Sequence, residues 1–289
     1  MNTICNFADI DIYILYYLDI ETIMLLTIVS INQNILLTNL DFVKELKRLK
    51  IEFKNIIPIS MKNIIFCAAC SNYISIIRWV HESIHKFIYD ANIIDFAASK
   101  GHIHILEWFA NSQYEFKYTT WTINSASRNG HIDILEWFRK SGYEFKYTTL
   151  AINTASQNGY IDILEWFAKS GYEFKYTIWT INGASQNGHV QVLEWFAKSK
   201  YEFKYTEEAI DLASANGHIN ILDWFDKSEY KFKYTENAIV LASKNGMVSV
   251  LEWFNNSKYE LKNIEFAISE AKRKDIQNVL KWYEANKKC

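Results

Sequence analysis

The sequence predicts an all-α fold: a solenoid of helical pairs behind a small N-terminal helical region. Three observations predict it. A glycine recurs at Gly101, Gly130, Gly159, Gly188, Gly217 and Gly246, always 29 residues apart, and Trp108, Trp137, Trp166, Trp195, Trp224 and Trp253 keep the same interval. Apolar residues between these marks fall at helical spacing. The run that closes each unit, as in Tyr172-Glu173-Phe174-Lys175-Tyr176, alternates apolar and charged residues. One strand per unit cannot pair with the next, because helices pack about 8–10 Å apart and strands at about 4.8 Å. That run is therefore an extended connector. Asn72 and Trp79 fall in register before the first glycine, and Asp275 and Trp282 after the last, making eight units with degraded ends. In such an array each unit buries its apolar face against its neighbours alone.

At 289 residues the chain suffices for two domains or one extended array. A hydrophobic content of 49% with a formal charge of −2 gives no electrostatic case for a nucleic-acid partner. Four cysteines, Cys5, Cys67, Cys70 and Cys289, make no disulfide framework and fit a reducing compartment. Cys67 and Cys70 stand three apart on a predicted helix with no second pair, so they read as small buried hydrophobes and not as zinc ligands. No basic region opens the chain, which argues against a signal peptide. Ile12–Ile31 is apolar but carries Asp19 and Glu21 near its middle, too costly for a bilayer span. The expectation is a cytoplasmic, monomeric protein without membrane contact.

Residues 4–50 lie outside the repeat. Ile12, Leu15, Leu18, Met24, Leu25, Ile28, Val29 and Leu36 recur at helical spacing, broken at Asp19, which is placed to cap a second helix. The order from Tyr13 to Ser30 resembles an F-box, in which an isoleucine-leucine helix ends in Tyr-Leu-Asp and a leucine pair leads to a valine. The family's Leu-Pro start is replaced here by Asn6-Phe7-Ala8. The resemblance implies a Skp-type adaptor as partner, gripped by Ile14, Leu15, Leu18, Leu25 and Leu26. The alternative is a hydrophobic cap on the first repeat. Pro58, the chain's one proline, resists helix before it and sets the expected boundary between region 1–58 and repeats 59–289.

Within a unit, Thr148 or Thr149 caps a first helix, Leu150 to Asn158, whose inner face carries Ile152 and Ala155. Gly159 ends it in the left-handed conformation. Ile161 to Lys169 forms the second helix, with Ile163, Leu164, Trp166 and Phe167 as its buried stripe, and Ser170-Gly171 stops it. The alanine-small pair (Ala155-Ser156), Gly-His (Gly130-His131, Gly188-His189, Gly217-His218) and Ile-x-Ile-Leu-x-Trp-Phe resemble ankyrin repeats, in phase over residues 59–285. The resemblance implies a non-enzymatic protein-binding module without cofactor. Thr-Pro-Leu-His is absent from these units, which are also four residues shorter than the family's usual length.

His81-Glu82-Ser83-Ile84-His85 spells a zinc-peptidase motif, but register puts His85 past the end of its helix, and no third ligand follows. No metal and no catalytic residue is expected. The histidines after the glycines exchange with Tyr160 and Met247, which says packing. The repeated tryptophan reads as core.

The units disagree at three positions. Nine residues before each glycine stand Asn92, Trp121, Leu150, Trp179, Glu208 and Asn237. Six before stand Asp95, Asn124, Asn153, Asn182, Asp211 and Val240; two before stand Ser99, Arg128, Gln157, Gln186, Ala215 and Lys244. Variation against a strict background marks positions freed from the core, here one face of the first helices. Trp121, Arg128 and Trp179 are of types enriched in interface hot spots; the rival role for the two tryptophans is packing on connector tyrosines. The functional expectation is a receptor that holds a protein target on its repeats and a cullin-type ubiquitin ligase through its N-terminus, as in ankyrin-repeat proteins of large DNA viruses. The Ile, Asn, Lys and Tyr richness suits such an A/T-rich genome. The alternative is a plain interaction scaffold.

Overall fold

The computed structural model describes residues 65–286 except 67 and 84–86, so the F-box-like segment, Cys67, His85 and the boundary at Pro58 lie outside the described residues. The described residues form fifteen α-helices and no strand. No helix among them is long and apolar enough to cross a membrane. The chain divides into two compact bodies, Met1–Thr119 and Thr120–Cys289.

In the first body, α1 (Ile74–Ser83) packs on α3 (Ile103–Ala110), and α3 pairs with α2 (Ala91–Ser99). Asp90 caps α2 through the Asn92 amide. His81 joins Phe87, Trp108 and Tyr114 in an aromatic cluster and bonds the Tyr114 hydroxyl at 2.7 Å through Nδ1. That occupation is a packing role. Cys70 is half-buried, its carbonyl 3.0 Å from His102 Nε2.

The second body is six helical pairs. First helices are α4 (Thr120–Arg128), α6 (Thr149–Gln157), α8 (Trp179–Gln186), α10 (Glu208–Ala215), α12 (Asn237–Lys244) and α14 (Ile264–Arg273). Second helices are α5 (Ile132–Ser141), α7 (Ile161–Ser170), α9 (Val190–Lys198), α11 (Ile219–Lys227), α13 (Val248–Asn256) and α15 (Gln277–Ala285). Each row stacks helix against the equivalent helix of the next unit, closely among first helices and more loosely among second helices. This is the helical-pair solenoid that the 29-residue period predicts.

Local chemistry sets each boundary. Thr148 accepts from the Leu150 amide and starts α6. At the other end the Tyr160 amide reaches back to Ala155 O (2.9 Å) and Gly159 N to Ser156 O (3.0 Å), a Schellman closure on a glycine at φ +76°. The same closure repeats at His131, His189, His218 and Met247, each bonded to the alanine of its alanine-small pair, and at Ile276, bonded to Ala271 across Asp275 at φ +54°. That alanine carries two duties, core packing and the last carbonyl.

The glycine has a second reason to lack a side chain. A Cβ at Gly188 would meet the His218 ring at 2.6 Å, one at Gly159 the His189 ring at 2.7 Å, and one at Gly130 the Tyr160 ring at 2.7 Å. Tyr160, His189 and His218 thus seat against the glycine of the preceding unit, the packing role the sequence assigned to these histidines. Burial, with His218 nearby, holds the His189 imidazole below its ordinary pKa, against the bond to the Gln157 backbone.

The buried stripe corrects one expectation. Ile163, Leu164 and Phe167 are buried, but Trp166 is only half-buried, as are Trp137, Trp195, Trp224 and Trp253. The repeated core ring is the phenylalanine after it. The tryptophans fill the wider gap between second helices in stacked triads: Phe145 lies 5.4 Å from Trp166 and 4.1 Å from Tyr172, which are themselves 6.0 Å apart, and Phe174, Trp195 and Tyr201 repeat the arrangement. A half-buried ring reaches the connector on one side and turns its N–H to a carboxylate of the preceding unit on the other, Trp166 to Glu136 at 3.1 Å and Trp253 to Asp223 at 2.7 Å.

Three serines behind those alanines, Ser156, Ser185 and Ser214, bury hydroxyls with no hydrogen-bond partner. Ser243 holds the same place but bonds the Tyr283 hydroxyl at 2.8 Å, because the last unit carries tyrosine where the others carry phenylalanine. Phe225→Tyr should therefore supply Ser185 with its partner and stabilise the protein by about 1 kcal/mol. In denaturant titrations that gain should vanish in a Ser185→Ala background. Phe196→Ala should cost about 3–5 kcal/mol and Trp195→Ala clearly less; equal losses would restore the tryptophan to the core.

Candidate partner-binding face

The first helices of the second body bring equivalent residues into rows, and the three variable rows differ in exposure. At the N-terminal row Trp121, Leu150 and Trp179 are 44%, 48% and 50% exposed, with Ile178 beside Trp179 at 38%. Glu208 and Asn237 continue the row and are exposed. At the C-terminal row Arg128 is exposed, Gln157 and Gln186 are half-buried, Ala215 is buried and Lys244 is half-buried. The N-terminal row is exposed throughout the second body, whereas of these C-terminal residues only Arg128 is exposed.

The middle row differs. Asn124, Asn153, Asn182 and Asp211 are buried, at 0–7% exposure, so the inference that this position stands clear of the core is corrected. Each side chain reaches the next unit instead. Asn153 Oδ1 accepts from the Thr177 amide (3.1 Å) and its Nδ2 donates to Thr177 Oγ (2.8 Å). Asn124 does the same with Thr148, and Asn182 with Thr206. Asp211 has no N–H to give, so Thr235 supplies both hydrogens, from its amide at 2.9 Å and its hydroxyl at 2.5 Å. In the first body Asp95 holds Thr119 likewise. The threonine so held then caps its own helix, as Thr177 does for the Trp179 amide (3.2 Å). The position varies because Asn and Asp both satisfy threonine, each with a different donor assignment. Val240 ends the series; α14 starts after Asn263, at φ +53°, without a threonine.

A second ladder fixes the C-terminal row. Asn158, Asn187, Asn216 and Asn245 donate through Nδ2 to the carbonyls of Arg128, Gln157, Gln186 and Ala215 of the preceding unit, at 2.7–2.8 Å. Helix-end carbonyls that no helical amide reaches are thereby satisfied.

On the opposite side, Glu136 accepts from Arg139, Lys140 and the Trp166 ring N–H, which together hold its carboxyl far below the usual range. Connector tyrosines join neighbouring units, Tyr176 donating to the Glu202 carbonyl at 3.1 Å, and carry lysines over their rings, Lys204 at 4.8 Å from Tyr176. No group of three histidine, cysteine, aspartate or glutamate side chains among the described residues is placed to hold a metal.

Sequence reasoning passed over Ile178, Glu207 and Glu236, which stand directly after the capping threonines and are exposed. Their signal was available: the residue after the cap lies in the first turn, outside the inward face.

No protein-family model matches the chain, and a search of curated proteins finds no match. Among solved structures the chain is similar to the ankyrin repeat domain of human ASB11, with a TM-score of 0.49 and 14% identity over 65% of this chain and 96% of that one.

Burial raises the Asp211 pKa against the opposing pull of the two Thr235 bonds. The folded state then holds this proton more tightly than the unfolded chain. Its contribution is greatest below the ordinary aspartate pKa, about 3.9, and is lost as pH rises through the raised folded value. Asp211→Asn removes that loss and keeps the threonine bonded, as Asn182 shows for Thr206. The variant should match the parent near pH 3 and exceed it at pH 7 in thermal melts. A parent more stable than the variant at pH 7 would mean that the Thr235 bonds outweigh burial.

Proposed function

We propose that the chain is a non-enzymatic protein-binding module whose target sits on the N-terminal row of the first helices. The observation that carries this is the register of Trp121, Leu150 and Trp179: three large apolar side chains, each about half exposed, on adjoining helices. A folded chain gains nothing by leaving two indoles in water, whereas an interface uses aromatic anchors of this kind. Glu208 continues the row, and Arg128, Gln157 and Gln186 at the other end of these helices supply polar contacts. Asn124, Asn153, Asn182 and Asp211 serve the face from beneath by fixing the threonines that start its helices. The ankyrin-like motifs of the sequence favour the same reading, since such arrays hold proteins on exposed residues of their units.

We further propose the F-box-like segment as the link to a cullin-type ubiquitin ligase through a Skp-type adaptor. This rests on the order of Ile14, Leu15, Leu18, Leu25 and Leu26 in the sequence. In that reading the protein works in the cytoplasm, and the viral attribution stands on composition alone. A plain scaffold is the alternative, and one variant separates the two: in the full chain, Leu18→Asp with Leu25→Asp should abolish adaptor pull-down and leave the melt of the repeats unchanged. Unfolding of the whole chain would make the segment a cap. Trp121→Ala and Trp179→Ala should each weaken target binding by more than about 1 kcal/mol with little change in melting temperature. Loss of fold in both would return these rings to the core.

A further inference from the structure

The binding row changes character along the stack. On α4, α6 and α8 it presents Trp121, Leu150 and Trp179. On the next two helices the same edge presents Glu207 and Glu208, then Glu236, all exposed. None of these three carboxylates has an ion-pair partner among the described residues. Glu208 accepts one hydrogen bond, from Asn182 Nδ2 at 3.1 Å. Of the connector lysines of these units, Lys204 lies over Tyr176 and Lys233 over Tyr205. An apolar strip thus runs directly into an acidic one on a single stacked surface.

We propose that the occupant of this face is a linear protein segment with an apolar head and a basic tail. This rests on the reading of the row as the binding face and adds the chemistry of the partner. Stacked helices stand about 8–10 Å apart, so the segment places two or three apolar side chains over Trp121, Leu150 and Trp179. Within about 10 Å of the last of them it places lysine or arginine. That step is about seven residues of helix at 1.5 Å each or about three residues of an extended chain at 3.3 Å. The apolar contacts supply affinity, and the charge gradient sets direction, since a segment laid the other way puts its cations over indoles and its apolar residues over carboxylates. An acidic segment is excluded by repulsion along two helices.

The test is selection of a random peptide library displayed on phage against the full chain. Selected peptides are then measured as synthetic peptides against the parent, the Trp121→Ala with Trp179→Ala variant, and the Glu207→Gln, Glu208→Gln, Glu236→Gln variant. Glutamine keeps an acceptor for Asn182, and thermal melts check that each variant folds. The expected result is enrichment of peptides with an apolar cluster beside a basic one. Their affinity should fall at least tenfold in each variant, and it should fall with added salt in the parent but not in the glutamine variant. Peptides that depend on the tryptophans but show no basic enrichment and no loss with the glutamine variant would overturn the proposed partner chemistry and leave the face standing. Peptides indifferent to the tryptophans, or no selection above background, would overturn the face and the partner chemistry together.

Discussion

The bond between a buried Asn or Asp and the threonine 24 residues later is what the rest of the second body depends on. It crosses from one unit to the next, it lies under the surface, and it fixes a residue that itself starts a helix. A threonine displaced by a fraction of an ångström would lose both its bonds and the cap it provides. The direction of α6, α8, α10 and α12 is therefore set by the unit before each. Burial strengthens such a bond by removing water as a competitor, and it makes an unpaired Asn or Asp expensive. The exposed row above inherits this order, because Leu150 and Trp179 each stand two residues after the held threonine.

Much of this architecture was readable in the residues. Period, helix ends, capping threonines, the glycine stop and the extended connector all follow from local chemistry repeated in phase. Two points were not. The tryptophan looked like core because its spacing fits the apolar stripe, yet the wider gap between second helices needs a ring that bridges to the connector. Spacing places a residue on a face; it does not tell the middle of that face from its edge. The middle variable row misled for a different reason. Asn153 and Asp211 differ in charge, and variation in charge ordinarily marks solvent, but threonine offers both an N–H and a hydroxyl and so accepts either partner. The candidate face was legible chiefly at its N-terminal row, where Trp121, Leu150 and Trp179 are about half exposed.

The two sides of the stack are built on different principles. First helices are held by polar bonds of defined length and direction, with small residues that allow close approach. Second helices are held by rings: phenylalanine inside, then tryptophan and tyrosine layered with the connector phenylalanine. Ring layers fill space and tolerate small shifts, whereas the buried amide bonds do not. The rigid side is the one that carries the exposed tryptophans.

The bridges across each junction span the same number of residues wherever they occur: 24 for the buried amide to threonine, 26 for tyrosine to the connector carbonyl, 30 for asparagine to the helix-end carbonyl. Copying or excising one whole unit therefore rejoins identical partners at the seam, while any other length of insertion breaks three kinds of bond at once. Copy number is consequently the one dimension in which this chain can change without redesign. Each added unit would lengthen the exposed row by one position, whose side chain is free to be chosen afresh.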